Sequence, residues 1–305
     1  MCGGRRIERY AYRNHRRARW KPAVLRDRVL ELLARSLKLR TLTAKTLFST
    51  VYDVARCTDC GYGQYDRVLD DALLAMYYER TYDEFVGRDR EPGDLFLTDE
   101  RSVGQWDFIR HSLHARPGMS VLEIGAGDAY LSLLIREHVP HATFDVVQPG
   151  DAWLPYYERL QLSRVAEFFP LPTAKRYDLL ILSHTLEHIP DARRTFANLE
   201  AALAPGGLVF IEVPNCTLSY WENDVIDPPG HVHYFTDDAL LRLARDGGLE
   251  AVRIACVGMT HADRETFWRA RERCPATIVA DADRSIRENI PNAQGEYLRG
   301  LFRGC

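Results

Sequence analysis

The chain of 305 residues is 46% hydrophobic and carries a net charge of −3 at pH 7, which suits a soluble protein that builds its own core. Its seven cysteines are an odd number, so we expect reduced thiols and not a disulfide framework. Apolar runs of roughly 18 residues are absent and the N-terminus lacks the apolar stretch of a secretory signal, so we expect a cytoplasmic protein without a membrane helix.

The first 45 residues are strongly basic. They contain fourteen Lys or Arg against Glu8, Asp27 and Glu31. Such an arm can bind nucleic acid or another anionic ligand. The interleaved aromatic and basic residues of an RNA-binding module are missing, which favours a solvated helical face packed on an acidic main domain. We therefore expect no nucleic-acid partner and no membrane partner, and leave a homodimer open.

Amphipathic patterns in the N-terminal third predict helices outside the main sheet. Apolar residues recur at helical spacing over residues 24–40 and again over residues 70–80. A third helix is predicted from Asp99 to Ala115, before the turn signal Arg116-Pro-Gly118. We place the boundary near residue 98, which predicts a mainly helical cap over residues 1–98 and a main domain over residues 99–305.

Strand and helix patterns alternate through the main domain. The predicted strands are 120–124, 143–147, 178–183, 208–213 and 249–257, with a further strand at Ala276–Val279, and the predicted helices are 130–137, 192–204 and 237–246. This order predicts an α/β fold with a Rossmann-like, doubly wound sheet covered by helices. The last strands would form an antiparallel edge.

A glycine pair follows the first of these strands, in the segment Val121-Leu-Glu-Ile-Gly-Ala-Gly-Asp128. Glycines in this position permit a tight turn and let the backbone approach a ligand closely. A dinucleotide loop would carry a third glycine and favour phosphate at the helix N-terminus. Here Glu123 and Asp128 place carboxylates beside the turn, which suits a ligand with a cationic amino group.

Over residues 98–260 the chain resembles the class I S-adenosylmethionine-dependent methyltransferases. The resemblance rests on the glycine segment and on two later stretches, Tyr177-Asp-Leu-Leu-Ile-Leu-Ser183-His-Thr-Leu-Glu187-His188-Ile and Leu203-Ala-Pro-Gly-Gly-Leu-Val-Phe-Ile-Glu-Val-Pro214. It implies S-adenosylmethionine as the cofactor and a set of cofactor-binding residues. These are Glu123, Gly125, Ala126, Gly127, Asp128, Gln148, Glu167 and Ser183.

Gln148 departs from the family pattern. The second strand of these enzymes usually ends in an acidic residue that binds the ribose hydroxyls, whereas this strand reads Phe144-Asp-Val-Val-Gln148. An amide still hydrogen-bonds a diol, but without charge assistance, so the contact should be weaker. Ala166-Glu167-Phe168 is similar to the segment that meets the edge of the adenine.

Two histidine-containing segments follow the fourth and fifth strands, where a sheet of this type holds its ligand. We predict His231 as the general base for a hydroxyl acceptor, with His233 as the fallback, and His188 as a further catalytic residue. His184 and Glu187 are predicted to contact the acceptor. A wall of the substrate pocket without catalytic function is the alternative for Glu187 and His188.

The spacing His184-x-x-Glu187-His188 also has metal-ligand character. Some related enzymes acting on catechols or RNA ends have a similar acidic pattern that a distant histidine completes. In this chain His184 takes the place of a glutamate. A borderline metal accepts imidazole, whereas Mg²⁺ prefers oxygen ligands, so the change argues against Mg²⁺. Glu187-His188 also fits the wall of a metal-free substrate pocket, and we predict no metal at this site.

Cys57-x-x-Cys60-Gly61 resembles a knuckle of the N-terminal zinc-binding region in sugar C-methyltransferases. Those regions carry two such knuckles, and Met1-Cys2-Gly3-Gly4 is similar to the end of the first one without its leading cysteine, but structural zinc needs four ligands. His15 could complete the set, the true start could lie upstream, or the knuckle binds no zinc. The same resemblance would place Tyr77, Tyr78 and Tyr82 on a lid, with Tyr78 and Tyr82 contacting the acceptor.

The sequence thus predicts methyl transfer to a small molecule, a sugar or a secondary metabolite, with O-methylation favoured. The sugar enzymes carry a Glu-His pair where this chain has Gly230-His231, which separates it from their C-methylation chemistry. An RNA methyltransferase that uses the basic arm and a non-catalytic binding partner are the two alternatives.

Overall fold

A computed structural model describes residues 7–13, 51–65, 98–151, 153–217, 220, 231–263 and 276–305. The helices predicted at 24–40 and 70–80 lie outside these residues. The described strands are β1 Ile7–Arg13, β2 Val51–Cys57, β3 Gly63–Tyr65, β4 Ser120–Ile124, β5 Thr143–Val147, β6 Ser163–Ala166, β7 Tyr177–Ser183, β8 Leu203–Pro214, β9 His233–Tyr234, β10 Leu249–Thr260 and β11 Gly295–Gly304. The described helices are α1 Thr98–Arg110, α2 Tyr130–His138, α3 Leu154–Arg159, α4 Ala192–Ala202, α5 Asp237–Asp246 and α6 Ala276–Glu288.

The main sheet has seven strands in the order β10-β11-β8-β7-β4-β5-β6. The neighbours from β8 to β6 are parallel, while β11 runs antiparallel to both β8 and β10. This confirms the predicted Rossmann-like fold with an antiparallel edge. Because the chain order reverses between β4 and β7, the carboxyl ends of these strands border the crevice in which such sheets bind ligands.

Two apolar layers cover the sheet. One contains Phe108, Leu131 and Ile135 of α1 and α2, and the other contains Phe196, Leu240 and Leu243 of α4 and α5. Helix α5 begins where predicted, because the Thr236 side chain accepts a hydrogen bond from the backbone N–H of Ala239.

The strand predicted at Ala276–Val279 is wrong, because this segment begins helix α6. The β-branched residues Ile278 and Val279 favour a strand locally. Ala282 and Ile286 continue the apolar pattern at helical spacing and are buried. The last strand of the sheet is β11, which the sequence analysis did not predict.

A second, smaller sheet joins the N-terminal segment to the main domain. Its order is β1-β2-β3-β9, and β3 pairs with β9 through Gly63 opposite Tyr234 and Gln64 opposite His233. Cys57 and Cys60 are buried in the same apolar cluster as the core of the main sheet. Within the described residues, no helix is long and apolar enough to cross a membrane.

Candidate functional site

The glycine segment forms a tight loop after β4. Gly125, Gly127 and Ala129 all have positive φ, at 73°, 52° and 52°. The N–H of Gly125 donates to the Val147 carbonyl at 2.7 Å, which holds the loop against the end of β5. A Cβ on Gly125 would lie 2.2 Å from the hydroxyl oxygen of Thr185, whereas a Cβ on Gly127 would meet no atom of a described residue within 4 Å. Gly125 thus packs against protein, whereas Gly127 has room beside it among the described residues.

Two tyrosines of α3 brace the same loop. The hydroxyl of Tyr157 donates to the Gly127 carbonyl at 2.6 Å, and that of Tyr156 to the Asp128 carbonyl at 2.9 Å. The Gln148 side-chain oxygen accepts the Gly127 N–H at 2.9 Å. The amide of Gln148 therefore lies beside the glycine loop, at the position where the sequence predicts the ribose contact.

Glu123 is a buried acid at the base of the loop. It accepts a hydrogen bond of 2.5 Å from the Ser132 hydroxyl on α2. Burial raises the pKa of Glu123 to about 7, and the nearby negative charge of Asp128 adds to the increase. A cation bound next to this carboxyl group would favour its ionised form.

Glu167 and Ser183 follow the strands on either side of the loop. Glu167 comes directly after β6, is half exposed, and lies 3.7 Å from the guanidinium of Arg164. Ser183 ends β7, and its hydroxyl accepts a bond of 2.9 Å from the Gln105 amide on α1. The predicted cofactor residues therefore lie at the ends of four neighbouring strands, β7, β4, β5 and β6.

A buried charge network, which the sequence analysis did not predict, lies on the β8 side of the crevice. Glu212 of β8 is fully buried and accepts bonds of 2.7 Å from both Arg299 and Gln105. The Arg101 guanidinium lies 3.5 Å from the same carboxylate. Burial alone would raise the pKa of Glu212, but these cations hold it well below its usual range. Glu212 is the single acid inside the apolar run Leu208–Val213, and this was the sequence signal that could have indicated a buried charge.

His184 links this network to the turn after β7. It has a φ of 50°, and its ring lies 3.3 Å from Glu187 Oε1 through Nδ1 and 3.3 Å from Glu212 Oε1 through Nε2. Burial lowers the pKa of His184, but the two carboxylates outweigh burial and raise it. His184 therefore lies between two carboxylates that favour its protonated form.

Three predicted residues converge next to His184. Glu187 and His188 lie on a 3₁₀ turn, Leu186–His188, and His231 approaches from the segment before β9. His231 Nε2 is 3.8 Å from Glu187 Oε1, and the rings of His188 and His231 are 4.7 Å apart between centroids. Burial would raise the pKa of Glu187, but the surrounding histidines lower it to about 2. The ligand atoms of these three residues lie within 4.8 Å of one another, close enough to hold a metal ion.

His233 is placed differently from His231. Its Nδ1 lies 2.6 Å from the Tyr62 hydroxyl and its Nε2 lies 3.1 Å from the Pro190 carbonyl. Burial lowers the pKa of His233 to about 4. Both nitrogens of His233 therefore contact protein groups, which argues against His233 as the general base.

The remaining predicted residues are only partly covered. Tyr77, Tyr78, Tyr82, Cys2 and His15 lie outside the described residues. Cys57 and Cys60 are buried around a tight turn in which the Gly61 N–H donates to the Cys57 carbonyl.

The family model of a methyltransferase domain matches residues 98–254. Among solved structures, the chain is 15% identical to the CcbJ methyltransferase from Streptomyces caelestis, covering 71% of this chain and 100% of that one with a TM-score of 0.48. An S-adenosylmethionine-dependent methyltransferase from Clostridium acetobutylicum is 10% identical, over 73% and 95% of the two chains, with a TM-score of 0.47. Coclaurine N-methyltransferase bound to N-methylheliamine and SAH is 15% identical, over 70% and 73%, with a TM-score of 0.47. A search of curated protein sequences gives no significant match.

Proposed function

The chain belongs to the methyltransferase domain family, and from this premise we propose that it transfers the methyl group of S-adenosylmethionine to a small-molecule acceptor, preferably to oxygen. Its use of S-adenosylmethionine and its class as a methyltransferase follow from the family. The choice of acceptor and of the acceptor atom is our proposal.

One contact carries the proposal, the packing of Thr185 against Gly125. Thr185 lies on the turn that bears His184, Glu187 and His188, so this turn directly touches the glycine loop. A cofactor on the loop and an acceptor on the turn would therefore be neighbours. Methyl transfer requires such placement, because holding two reactants in line supplies much of the rate enhancement.

The charges around the loop suit the amino acid end of the cofactor. S-adenosylmethionine carries an ammonium group, a carboxylate and a sulfonium. Glu123 and Asp128 can meet the ammonium group. Arg101, of which 27% of the side chain is exposed, can meet the carboxylate. Burial opposes its charge, but Glu212 raises the pKa of Arg101 most and Asp128 adds to the increase. Binding here would offset the cost of ionising Glu123.

The acceptor would lie against the cluster of Glu187, His188 and His231. A hydroxyl must lose its proton before or during attack on the methyl group, and this cluster offers the groups that favour such a loss. His184 contacts Glu187 and holds its carboxylate in place. His184 would therefore shape the acceptor pocket without transferring a proton. Tyr78 and Tyr82 remain predicted acceptor contacts.

Paired acceptors test the proposal. Purified protein would be incubated with labelled S-adenosylmethionine and a panel in which each hydroxyl compound is matched by its amine analogue. We expect transfer to the hydroxyl member of at least one pair and release of S-adenosylhomocysteine. Transfer confined to the amines, or to RNA, would refute the acceptor assignment.

A further inference from the structure

The cluster of Glu187, His188 and His231 is assembled from two separate segments. The backbone N–H of Val232 donates to the Glu187 carbonyl at 2.8 Å, which ties the segment before β9 to the turn after β7. Each of the three side chains offers one ligand atom, and these atoms lie within 4.8 Å of one another. In the part of the chain that the structure describes, this is the one group of three with such spacing.

Glu187 supplies an independent observation. Its side chain is fully buried, and neither of its oxygens accepts a hydrogen bond of acceptable geometry from a described residue. The nearest imidazole nitrogens, on His184 and His231, are 3.3 Å and 3.8 Å from Oε1. Burying a carboxylate without hydrogen-bond donors is costly. His184 offsets part of that cost, and a cation bound among Glu187, His188 and His231 would offset the rest.

We propose that Glu187, His188 and His231 bind one divalent transition-metal ion of the zinc type. Two imidazoles and one carboxylate are a ligand set of catalytic zinc, in which the fourth position stays open. Mg²⁺ prefers oxygen ligands and retains water, so it fits this set poorly. This revises the expectation of no metal. The sequence did not suggest this site, because His231 lies far from Glu187 and His188 along the chain and meets them only in the folded structure.

His184 contacts the proposed ligand Glu187 and can hold its carboxylate in place. Carboxylates that bind metals are usually held by a further partner, which orients them. His184 Nδ1 lies beside Glu187 Oε1, and its Nε2 lies beside the buried carboxylate of Glu212. His184, which stands where related enzymes carry a glutamate, thus orients Glu187, a ligand of the proposed ion.

The chemistry rests on the proposed function. The acceptor hydroxyl would take the open position, and the ion would lower its pKa so that its proton leaves to solvent. The oxygen then forms the new C–O bond, the bond between methyl carbon and sulfur breaks, and its electron pair remains on sulfur as S-adenosylhomocysteine. His231 acts here as a ligand and not as the general base.

Metal titration tests the proposal directly. Chelator-treated, tag-free protein would be titrated with Co²⁺, followed by visible absorption, and with Zn²⁺, followed by calorimetry. We expect one equivalent to bind. Loss of a residue that only orients a metal ligand costs about 10–100-fold in metal affinity. E187Q and H231A remove ligands themselves, so each should lose at least about 100-fold in metal affinity. Circular dichroism and S-adenosylmethionine binding would verify that both variants fold.

Two controls separate this site from others. H114A removes an exposed histidine and should bind the metal as the parent does. A C57S/C60S double variant should also bind one equivalent of the metal ion. Failure of the parent to bind Co²⁺ and Zn²⁺, equal binding by E187Q and H231A, or loss only in the cysteine variant would overturn the proposal.

An assay of methyl transfer separates the proposed metal site from the proposed function. Full turnover by metal-free protein would overturn the metal site and leave the proposed function standing. Binding of one ion that depends on Glu187 and His231, with no transfer to any acceptor, would support the metal site and refute the proposed function.

Discussion

Replacing Gly127 with alanine adds one methyl group to the face of the loop that the structure leaves open. Gly127 has a φ of 52°, and a Cβ there would meet no atom of the described residues within 4 Å. The change therefore costs only the backbone strain of a left-handed residue, about 1–2 kcal/mol, less about 0.4–1 kcal/mol gained from a stiffer unfolded chain. We expect a net loss of about 1 kcal/mol in the free energy of unfolding.

Cofactor affinity should fall further, since the new methyl group would occupy the space that we assign to S-adenosylmethionine. Overpacking of this kind typically costs about 1–3 kcal/mol, which corresponds to a loss of roughly 5- to 150-fold in affinity. Calorimetric titration with S-adenosylmethionine and S-adenosylhomocysteine measures it. The parent should bind both in about the micromolar range.

Gly118 and Gly125 provide matched comparisons. Gly118 has a φ of 76°, and a Cβ there would also meet no described atom within 4 Å, but it lies in the turn before β4. Gly118→Ala should therefore cost the same stability and leave affinity unchanged. Gly125→Val adds a clash with Thr185 to the strain and should abolish binding. Equal affinities of the Gly118→Ala and Gly127→Ala variants, or full binding by Gly125→Val, would refute the placement of the cofactor.

Three further predictions address the rest of the site. His231→Ala should lower kcat by about 100-fold or more while S-adenosylmethionine affinity stays nearly unchanged, because the variant loses a ligand of the proposed ion, whereas a purely structural histidine would lower stability and affinity together. S-adenosylmethionine affinity should rise between about pH 6 and pH 7.5, because Glu123, with its pKa raised to about 7, must ionise to meet the ammonium group; the Glu123→Gln variant should lose that dependence. Arg299→Met should cost about 3–5 kcal/mol in a denaturant titration, since it leaves a buried carboxylate without its main partner. Arg303→Met, on the same strand but in an exposed pair, should cost less than about 1 kcal/mol, and equal losses would contradict the assignment of the buried network.

Periodicity predicted most of the fold, because strands such as Ser120–Ile124 and Thr143–Val147 are short apolar runs bounded by turn residues. It failed at Ala276–Glu288, where a local β-branched pair outweighed a longer helical pattern. The strand Gly295–Gly304 was missed because its glycines and arginines do not form the alternating or continuous apolar pattern that identifies a strand.

The sequence by itself determined the glycine loop and the family, since the glycines, Glu123 and Asp128 are adjacent along the chain and their spacing sets their geometry. Tertiary structure decided the acceptor side. Only the pairing of β11 with β8 brings Arg299 to Glu212, and only the return of the segment before β9 brings His231 to Glu187. Contacts between residues far apart in sequence depend on how strands and loops pack, which no local pattern encodes. The same packing places both nitrogens of His233 against Tyr62 and Pro190, which its position two residues after His231 could not show.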